Sequence, residues 1–443
     1  MNNQLFKNKI YPIMLKFSPA IPVIMLFTAA VGAGLLLAKC SPGYYRTGSE
    51  PSSHFPTQKP VDQPLWNNSV PTVRVRLTSN SISSAKFKPT SAFKIFSNGI
   101  PDFSSKTGLW KPRKISRRNG VWHYANQRIM GNTLEIRTKN RAPIEFNGKP
   151  YRGKIVLVAN GANRFYVHNH VNLESYVASV IACELYGSFH FQTFKAQAIA
   201  ARTYALFELR RRNKNATFDV WATQRSQVYR GKSVESKKSR AATRATSAQV
   251  LTYNGKIFLS QYSACNGGYV NSADVLRTIS HVIPPLKGGQ IDGDGRACPY
   301  YTWPTVRIPK SSVFRALAKN YSTIARMGKL AKIRVKNYTK NGRPFKVEVI
   351  SARGKVRVLR ADDLRLALLR GGVRNSSKIR SMDCTLRDTG RYIEFANGRG
   401  FGHGVGMSQW GADEKAQRGM TAENILNFYY PQSIITRAYP ATR

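Results

Sequence analysis

Between Val171 and Leu173 the hydrophobic periodicity of the chain changes, and that change bounds the fold. From Thr72, the apolar residues Val73, Val75 and Leu77 alternate with Arg74, Arg76 and Thr78. A period of two sends successive side chains to opposite faces of a strand. Further short strands are expected up to Val171, among them Ile155–Val158 and Arg164–Val167. Beyond that point Leu173, Tyr176, Val177, Val180 and Ile181 fall on one face of a helix. Gly187-Ser188 breaks it, and Ser188 is expected to cap a second helix. There Phe191, Phe194, Ala198, Ala201 and Ala205 form a stripe that ends at Arg210–Arg212. Strand-like runs return at Lys346–Ile350 and Lys355–Leu359, before a glycine-rich loop at 398–406 and a closing helical segment. No internal repeat is evident. The expected class is α+β, a strand-rich body with inserted helices.

The N-terminus sets a location. Lys7, Lys9 and Lys16 precede an uncharged run from Ser18 to Ala38, and Lys39 closes it. About 20 apolar residues suffice to cross a bilayer, so residues 1–40 read as a signal peptide or signal anchor. Leu37-Ala38-Lys39-Cys40 is close to a lipoprotein cleavage site. Lys39 stands where a small residue is normal, which favours an anchor or ordinary cleavage over lipidation. Residues 41–70, rich in Pro, Ser, Asn and Gln, read as a linker. Residues 71–440 then form one domain, expected in the periplasm or cell-wall space and tied to the membrane by the N-terminal segment.

Charge and cysteines narrow the partners. Lys and Arg number 70 against 22 Asp and Glu, a net charge of +48. Such an excess favours a polyanion: nucleic acid, anionic lipid or an anionic wall polymer. Export argues against nucleic acid, and the chain has no nucleic-acid motif. Cys40, Cys183, Cys265, Cys298 and Cys384 include no CxxC pair, so neither a metal nor another cofactor is expected.

Three constellations can carry chemistry. Glu184 ends an apolar helix in Ile181-Ala-Cys-Glu-Leu-Tyr186. Burial disfavours the charged carboxylate, raises its pKa and suits it to general acid work. The same residue also reads as a surface glutamate at a helix end. The second helix carries Lys195 and Arg202 on one face, with Gln197 and Tyr204 on a neighbouring one. These line a groove or form the solvated side of an amphipathic helix. Gly398, Gly400, Gly402, Gly404 and Gly406 alternate, which permits close backbone approach. The stretch holds neither GxGxxG nor GK[ST], so no phosphate loop is indicated. His403 and Ser408 lack a GxSxG elbow and an acid partner, which argues against a serine hydrolase.

Five ordered blocks resemble one family. Val171–Glu184 and Phe194-Lys-Ala-Gln-Ala-Ile-Ala-Ala-Arg-Thr-Tyr-Ala-Leu206 are similar to the stage II sporulation protein D family (SpoIID/LytB domain). So are Gln227-Val-Tyr-Arg-Gly231, Tyr262-Ser-Ala-Cys-Asn-Gly-Gly268, and Gly400–Ala412 with Ile425–Pro431. The resemblance spans about residues 71–440. It implies a single SpoIID-type domain with a substrate groove. It also implies a peptidoglycan lytic transglycosylase that cleaves between N-acetylmuramic acid and N-acetylglucosamine and leaves 1,6-anhydro ends, with a preference for peptide-stripped glycan. The family's catalytic glutamate falls on Glu184. Lys195, Gln197, Arg202, Tyr204, Gln227, Tyr229, His403, Ser408 and Gln409 become candidates for substrate contact.

The chain also departs from the family pattern. Tyr186 replaces the usual Pro, Leu185 the common Met, and Cys183 a small residue that is often Ser. An acidic position before the Lys-Ala-Gln block is Thr193 or Phe194 here. Some members carry zinc near the glycine-rich segment, for which this chain shows no clear His/Cys pattern. Cys265 and Cys298 fall where a strand and a loop meet, as a disulfide or as two buried thiols. Because parts of the family are amidase enhancers, a non-catalytic peptidoglycan-binding protein that stimulates a cell-wall amidase is the competing reading.

Overall fold

The structure is a computed structural model that describes residues 69–440 apart from 214 and 280. The expected signal or anchor at 1–40 and nearly all of the linker at 41–70 lie outside the described residues. Among the described residues no helix is long and apolar enough to cross a membrane.

The period-two stretch builds two sheets. One runs Val220–Trp221, Thr72–Arg76, Phe165–Asn172, Lys154–Ala159, Thr133–Thr138, Phe93–Ser97, Ile100–Ser105. The other runs Lys149–Tyr151, Ile144–Phe146, Ser84–Pro89, Arg113–Arg118, Val121–Tyr124, Gln127–Ile129. Val73 and Val75 are fully buried while the alternating Arg74 and Arg76 stay half-buried, as a strand requires. Both sheets feed a core that includes Ile95, Ile115, Trp122, Leu157 and Phe165. Asn98-Gly99, Asn119-Gly120 and Asn147-Gly148 each adopt positive φ at both residues. That is the two-residue turn whose twist matches paired strands.

Helices α1 (Leu173–Glu184), α2 (Phe191–Arg211) and α3 (Lys237–Ala245) follow. The predicted face of α1, from Leu173 to Ile181, is fully buried. Helix α2 is more enclosed than a single stripe predicts. Phe194, Ala198, Ala201 and Ala205 join the sheet core. Ala196, Ile199 and Ala200 face a second core with Leu251, Val405, Met407, Leu426 and Tyr429. Ser188 does not cap α2. His190 does, its Nδ1 accepting the Gln192 N–H at 3.3 Å. The intervening residues are taken up by a turn in which Phe189 N–H donates to the Tyr186 carbonyl (3.1 Å).

A lobe with its own core lies between Tyr301 and Gly400. Helices α4 (Lys310–Asn320), α5 (Ser322–Ala325) and α6 (Ala361–Arg370) pack there with two small sheets around Ile308, Leu317, Leu364, Leu368 and Phe395. The predicted runs at 346–350 and 355–359 lie in strands Pro344–Ser351 and Val356–Arg360. The chain returns through the glycine-rich segment into α7 (Gln409–Gln417) and α8 (Ala422–Tyr429). It closes on strand Ile434–Arg437, which pairs with Gln249–Tyr253. The fold is α+β, and its helices sit against the strand-rich body.

Candidate active site

Asn172 caps α1, its Oδ1 accepting the Glu174 N–H at 2.9 Å and the Ser175 N–H at 3.4 Å. Twelve residues later the helix stops at Glu184, because Leu185 turns to extended backbone. Glu184 is half-buried. Its Oε1 accepts the backbone N–H of Val228 at 3.0 Å, and the Gln409 side chain donates to the same carboxyl. Burial raises its pKa, and these two hydrogen bonds pull only partly against that. The result is a carboxyl held towards its protonated form, with no cation or second carboxylate among the described residues that act on it.

The residues that fix Glu184 come from four segments. The block Gln227–Gly231 lies along α1, with Arg230 N–H donating to Ser179 Oγ (3.4 Å). Gln227 is buried and fully satisfied. It accepts from Tyr176 OH (3.0 Å) and donates to Ala201 O (3.3 Å) and Tyr262 OH (2.9 Å), which aims the next N–H at Glu184. Gln409, the first residue of α7, spends its second amide hydrogen on Gln197 Oε1 at 3.5 Å. Gln197 is fully buried on α2, and its own Nε2 has no hydrogen-bond partner among the described residues. Tyr176 and Tyr262 have pKa values raised by burial first, with Glu184 among the further causes. They stay neutral beside it.

The glycine-rich segment serves this arrangement through backbone approach. Gly406 has φ +66°, and a Cβ there would strike the carbonyl oxygen of Gln261. Gly402, at φ +104°, would likewise meet Ser263. Both contacts let the segment lie against the strand Tyr262–Ser263, which pairs with Met407–Ser408.

Of the residues singled out from the sequence, Gln197, Gln227 and Gln409 gather around Glu184. Tyr204, buried on α2, bonds Ser226 at the start of the Gln227 block. Tyr229 stacks on Tyr176 at 5.2 Å and donates to Asn169 Oδ1 at 2.7 Å. Arg202 is fully buried at the other end of α1, where its Nη2 lies 2.7 Å from Glu174 Oε2. Lys195 faces α8, with Nζ 4.0 Å from Glu423. Ser408 caps α7 by accepting the Gly411 N–H (3.2 Å). His403 accepts the Val405 N–H at Nδ1 (3.0 Å), and burial pushes its pKa down to about 4.

Sequence reasoning missed the Val228 N–H, which carries no residue-type signal, and the ring cluster at the site's edge. Tyr186 is 52% exposed, and its ring packs at 5.4 Å on both Phe189 and Trp410. Trp410 is the neighbour of Gln409.

Residues 162–253, which contain α1, α2 and α3, match the family model described as stage II sporulation protein. An uncharacterised protein of Brachyspira hyodysenteriae is 30% identical over 284 residues, 64% of this chain and 72% of its own. Stage II sporulation protein D of Bacillus subtilis is 28% identical over 286 residues, 61% of this chain and 76% of its own. The amidase enhancer of Bacillus subtilis is 27% identical over 354 residues, 72% of this chain and 49% of its own, so the chain spans about half of that relative. The match covers Glu184, Gln197 and Gln227, and the chain belongs to the stage II sporulation protein D family.

Proposed function

We propose that the protein is a peptidoglycan lytic transglycosylase acting outside the cytoplasm, with Glu184 as its single acid and base. The observation that carries this reading is a half-buried carboxyl, raised in pKa by burial and acted on by no second carboxylate among the described residues. An ordinary glycosidase needs two carboxylates. A transglycosylase that closes a 1,6-anhydro ring needs one. Protonated Glu184 gives its proton to the leaving O4 of the glycan as positive charge develops at C1. The carboxylate so formed takes the proton of the same sugar's O6–H as O6 bonds to C1. The nucleophile is intramolecular, so proximity supplies part of the rate and no water is activated. The Val228 N–H and the Gln409 amide hold the carboxyl through both transfers and steady the charge it carries between them. The uncharged run at 18–38 supports export.

The test is product analysis on intact and peptide-stripped glycan. Wild type releases anhydro-muramyl ends, and Glu184→Gln loses about 10³-fold in rate with its fold intact. Equal release by the variant sinks the assignment. The amidase-enhancer relative favours a second reading, stimulation of a cell-wall amidase. Stimulation that survives Glu184→Gln, with no glycan cleavage by wild type, selects it.

A further inference from the structure

Cys265 and Cys298 are 33 positions apart, and both are almost fully buried, at 1% and 4% exposure. The fold brings them together. The Gly295 carbonyl accepts the Cys298 N–H at 3.1 Å and the Cys265 S–H at 3.9 Å. The two thiols are close enough to shift each other's protonation. Each is stitched to the glycine-rich segment. Cys265 exchanges backbone hydrogen bonds with Phe401 (3.1 and 2.8 Å), and Gly400 N–H donates to Tyr301 O (2.9 Å) three residues past Cys298.

The loop that carries Cys298 is anchored independently. Asp292 is fully buried and accepts from Asn266 Nδ2 (2.7 Å), Tyr429 OH (2.7 Å) and Lys415 Nζ (3.0 Å). Lys415 also reaches Asp294 Oδ2 at 2.5 Å. The ammonium of α7 thus sits between two loop carboxylates and fixes the loop before any covalent bond forms. Cys183 and Cys384 have no such arrangement: burial pushes their pKa values up to about 11 and about 12, and no thiol is among the groups acting on them.

We propose that Cys265 and Cys298 close an intramolecular disulfide that clamps the 291–301 loop onto the strand carrying Tyr262, beside the Glu184 site. Geometry and chemistry assign the order of events. The Cys298 sulfur receives a hydrogen bond from the Tyr300 N–H (3.4 Å) and lies beside the Cys265 thiol, and both favour its thiolate. That thiolate attacks one sulfur of an oxidant disulfide, such as oxidised glutathione or a dithiol oxidase, and expels the first thiolate. Cys265 then gives up its proton, and its sulfur attacks the Cys298 sulfur of the mixed disulfide and expels the second. The two cysteines lose two electrons and two protons, and the oxidant gains both. Because both thiols are buried, the bond forms during folding.

In the cell this rests on the extracytoplasmic location proposed above, since such bonds persist in oxidising compartments. The test removes that dependence. Full-length protein is refolded either with oxidised glutathione or with reductant, then denatured, alkylated and mapped by peptide mass, the linked peptides being expected after oxidative refolding. The peptides bearing Cys265 and Cys298 emerge linked and unalkylated, while those bearing Cys183 and Cys384 are alkylated. Refolding in reductant instead lowers Tm by about 5 °C, the size expected for one cross-link in a domain this large. The Cys265→Ala/Cys298→Ala protein starts from the lower Tm and no longer responds to reductant. Recovery of both peptides fully alkylated, or capped separately by glutathione, overturns the proposal. The thiol map does not depend on glycan cleavage, so a cross-linked protein that cuts no glycan refutes the enzyme and leaves the disulfide standing.

Discussion

Helix α1 carries a glutamate at each end, and the two have been driven in opposite directions. Glu174, in the first turn, accepts from Arg202 (2.7 Å), Tyr439 OH (2.5 Å) and the Ala248 N–H (3.0 Å). Burial alone raises its pKa, but the Arg202 charge and these hydrogen bonds outweigh burial and leave it lowered. Glu184, in the last turn, has an amide and a backbone N–H for company, and burial wins. The helix dipole widens the gap, stabilising a carboxylate at the N-terminus and opposing one at the C-terminus. One residue type on one helix therefore yields a fixed anion that holds structure and a poised acid fit for proton transfer.

The largest break in this comparison comes from neutralising each end in turn. Glu174→Gln strands the Arg202 guanidinium, which is fully buried. Removing one partner of a buried ion pair costs about 3–5 kcal/mol, read as a fall in urea midpoint or Tm. Glu184→Gln runs the other way. A carboxyl whose folded pKa is raised contributes stability below its unfolded pKa and loses it as pH rises through the folded value. At neutral pH its replacement by an amide, which still accepts from Val228, leaves Tm unchanged or slightly higher. Equal destabilisation by the two changes would erase the distinction.

Activity and stability also separate with pH. In the proposed mechanism cleavage requires protonated Glu184, so the rate is expected to fall as pH rises through its raised pKa. Stability moves oppositely. Glu174 has a lowered pKa, so its contribution is full above its unfolded value and is lost as pH falls through the folded one. His168 and His170 act in the same sense. Burial is the first cause that pushes them down, to about 3 and about 4, with neighbouring cations adding. They stay neutral in the fold but take protons in the unfolded chain below about pH 6.5. Thermal melts across pH 3–8 are expected to weaken from about pH 6 downwards. Flat melts over that range would remove the histidines from the account.

The two ends were not equally legible in the sequence. The helix itself was, because the apolar spacing from Leu173 to Ile181 fixes a buried face. Glu184 owes its proposed role to the ordered blocks around it. Arg202 read as a groove residue because spacing along α2 cannot reveal that the helix is packed between two cores. Once both sides are covered, its cation has to find Glu174. Ser408 and Lys195 show the same limit: a polar residue in a family block is as easily a cap or a rim contact as a ligand for substrate. The Val228 N–H was invisible, since every residue but proline offers one.

A smaller effect is expected at Gln409, which touches only the Glu184 end. Gln409→Ala removes a hydrogen bond worth roughly 1–2 kcal/mol, about tenfold in kcat. The direction of the pH profile identifies the cause. The Gln409 bond lowers the Glu184 pKa, so its loss lets that pKa climb, and the falling limb of the profile moves to higher pH. A drop in kcat with an unmoved profile would assign Gln409 to packing alone.

The smallest effect falls on the tyrosine that accompanies each carboxyl. Tyr439 is fully buried and spends its hydroxyl on Glu174, whereas Tyr186 is 52% exposed two residues beyond Glu184. Phe189 and Trp410 hold the Tyr186 ring from behind, each with centroids 5.4 Å away. A ring braced in this way beside the acid presents an apolar face on which a pyranose can lie. Tyr186→Ala is expected to raise KM for glycan about threefold at nearly constant kcat, for a ring contact worth roughly 0.5–1.5 kcal/mol. Tyr186→Trp retains the wild-type KM, because the platform survives. Tyr439→Phe does the reverse, lowering Tm while leaving KM alone. A KM that ignores Tyr186→Ala would reduce the ring to a surface residue and leave the two ends of α1 differing in charge alone.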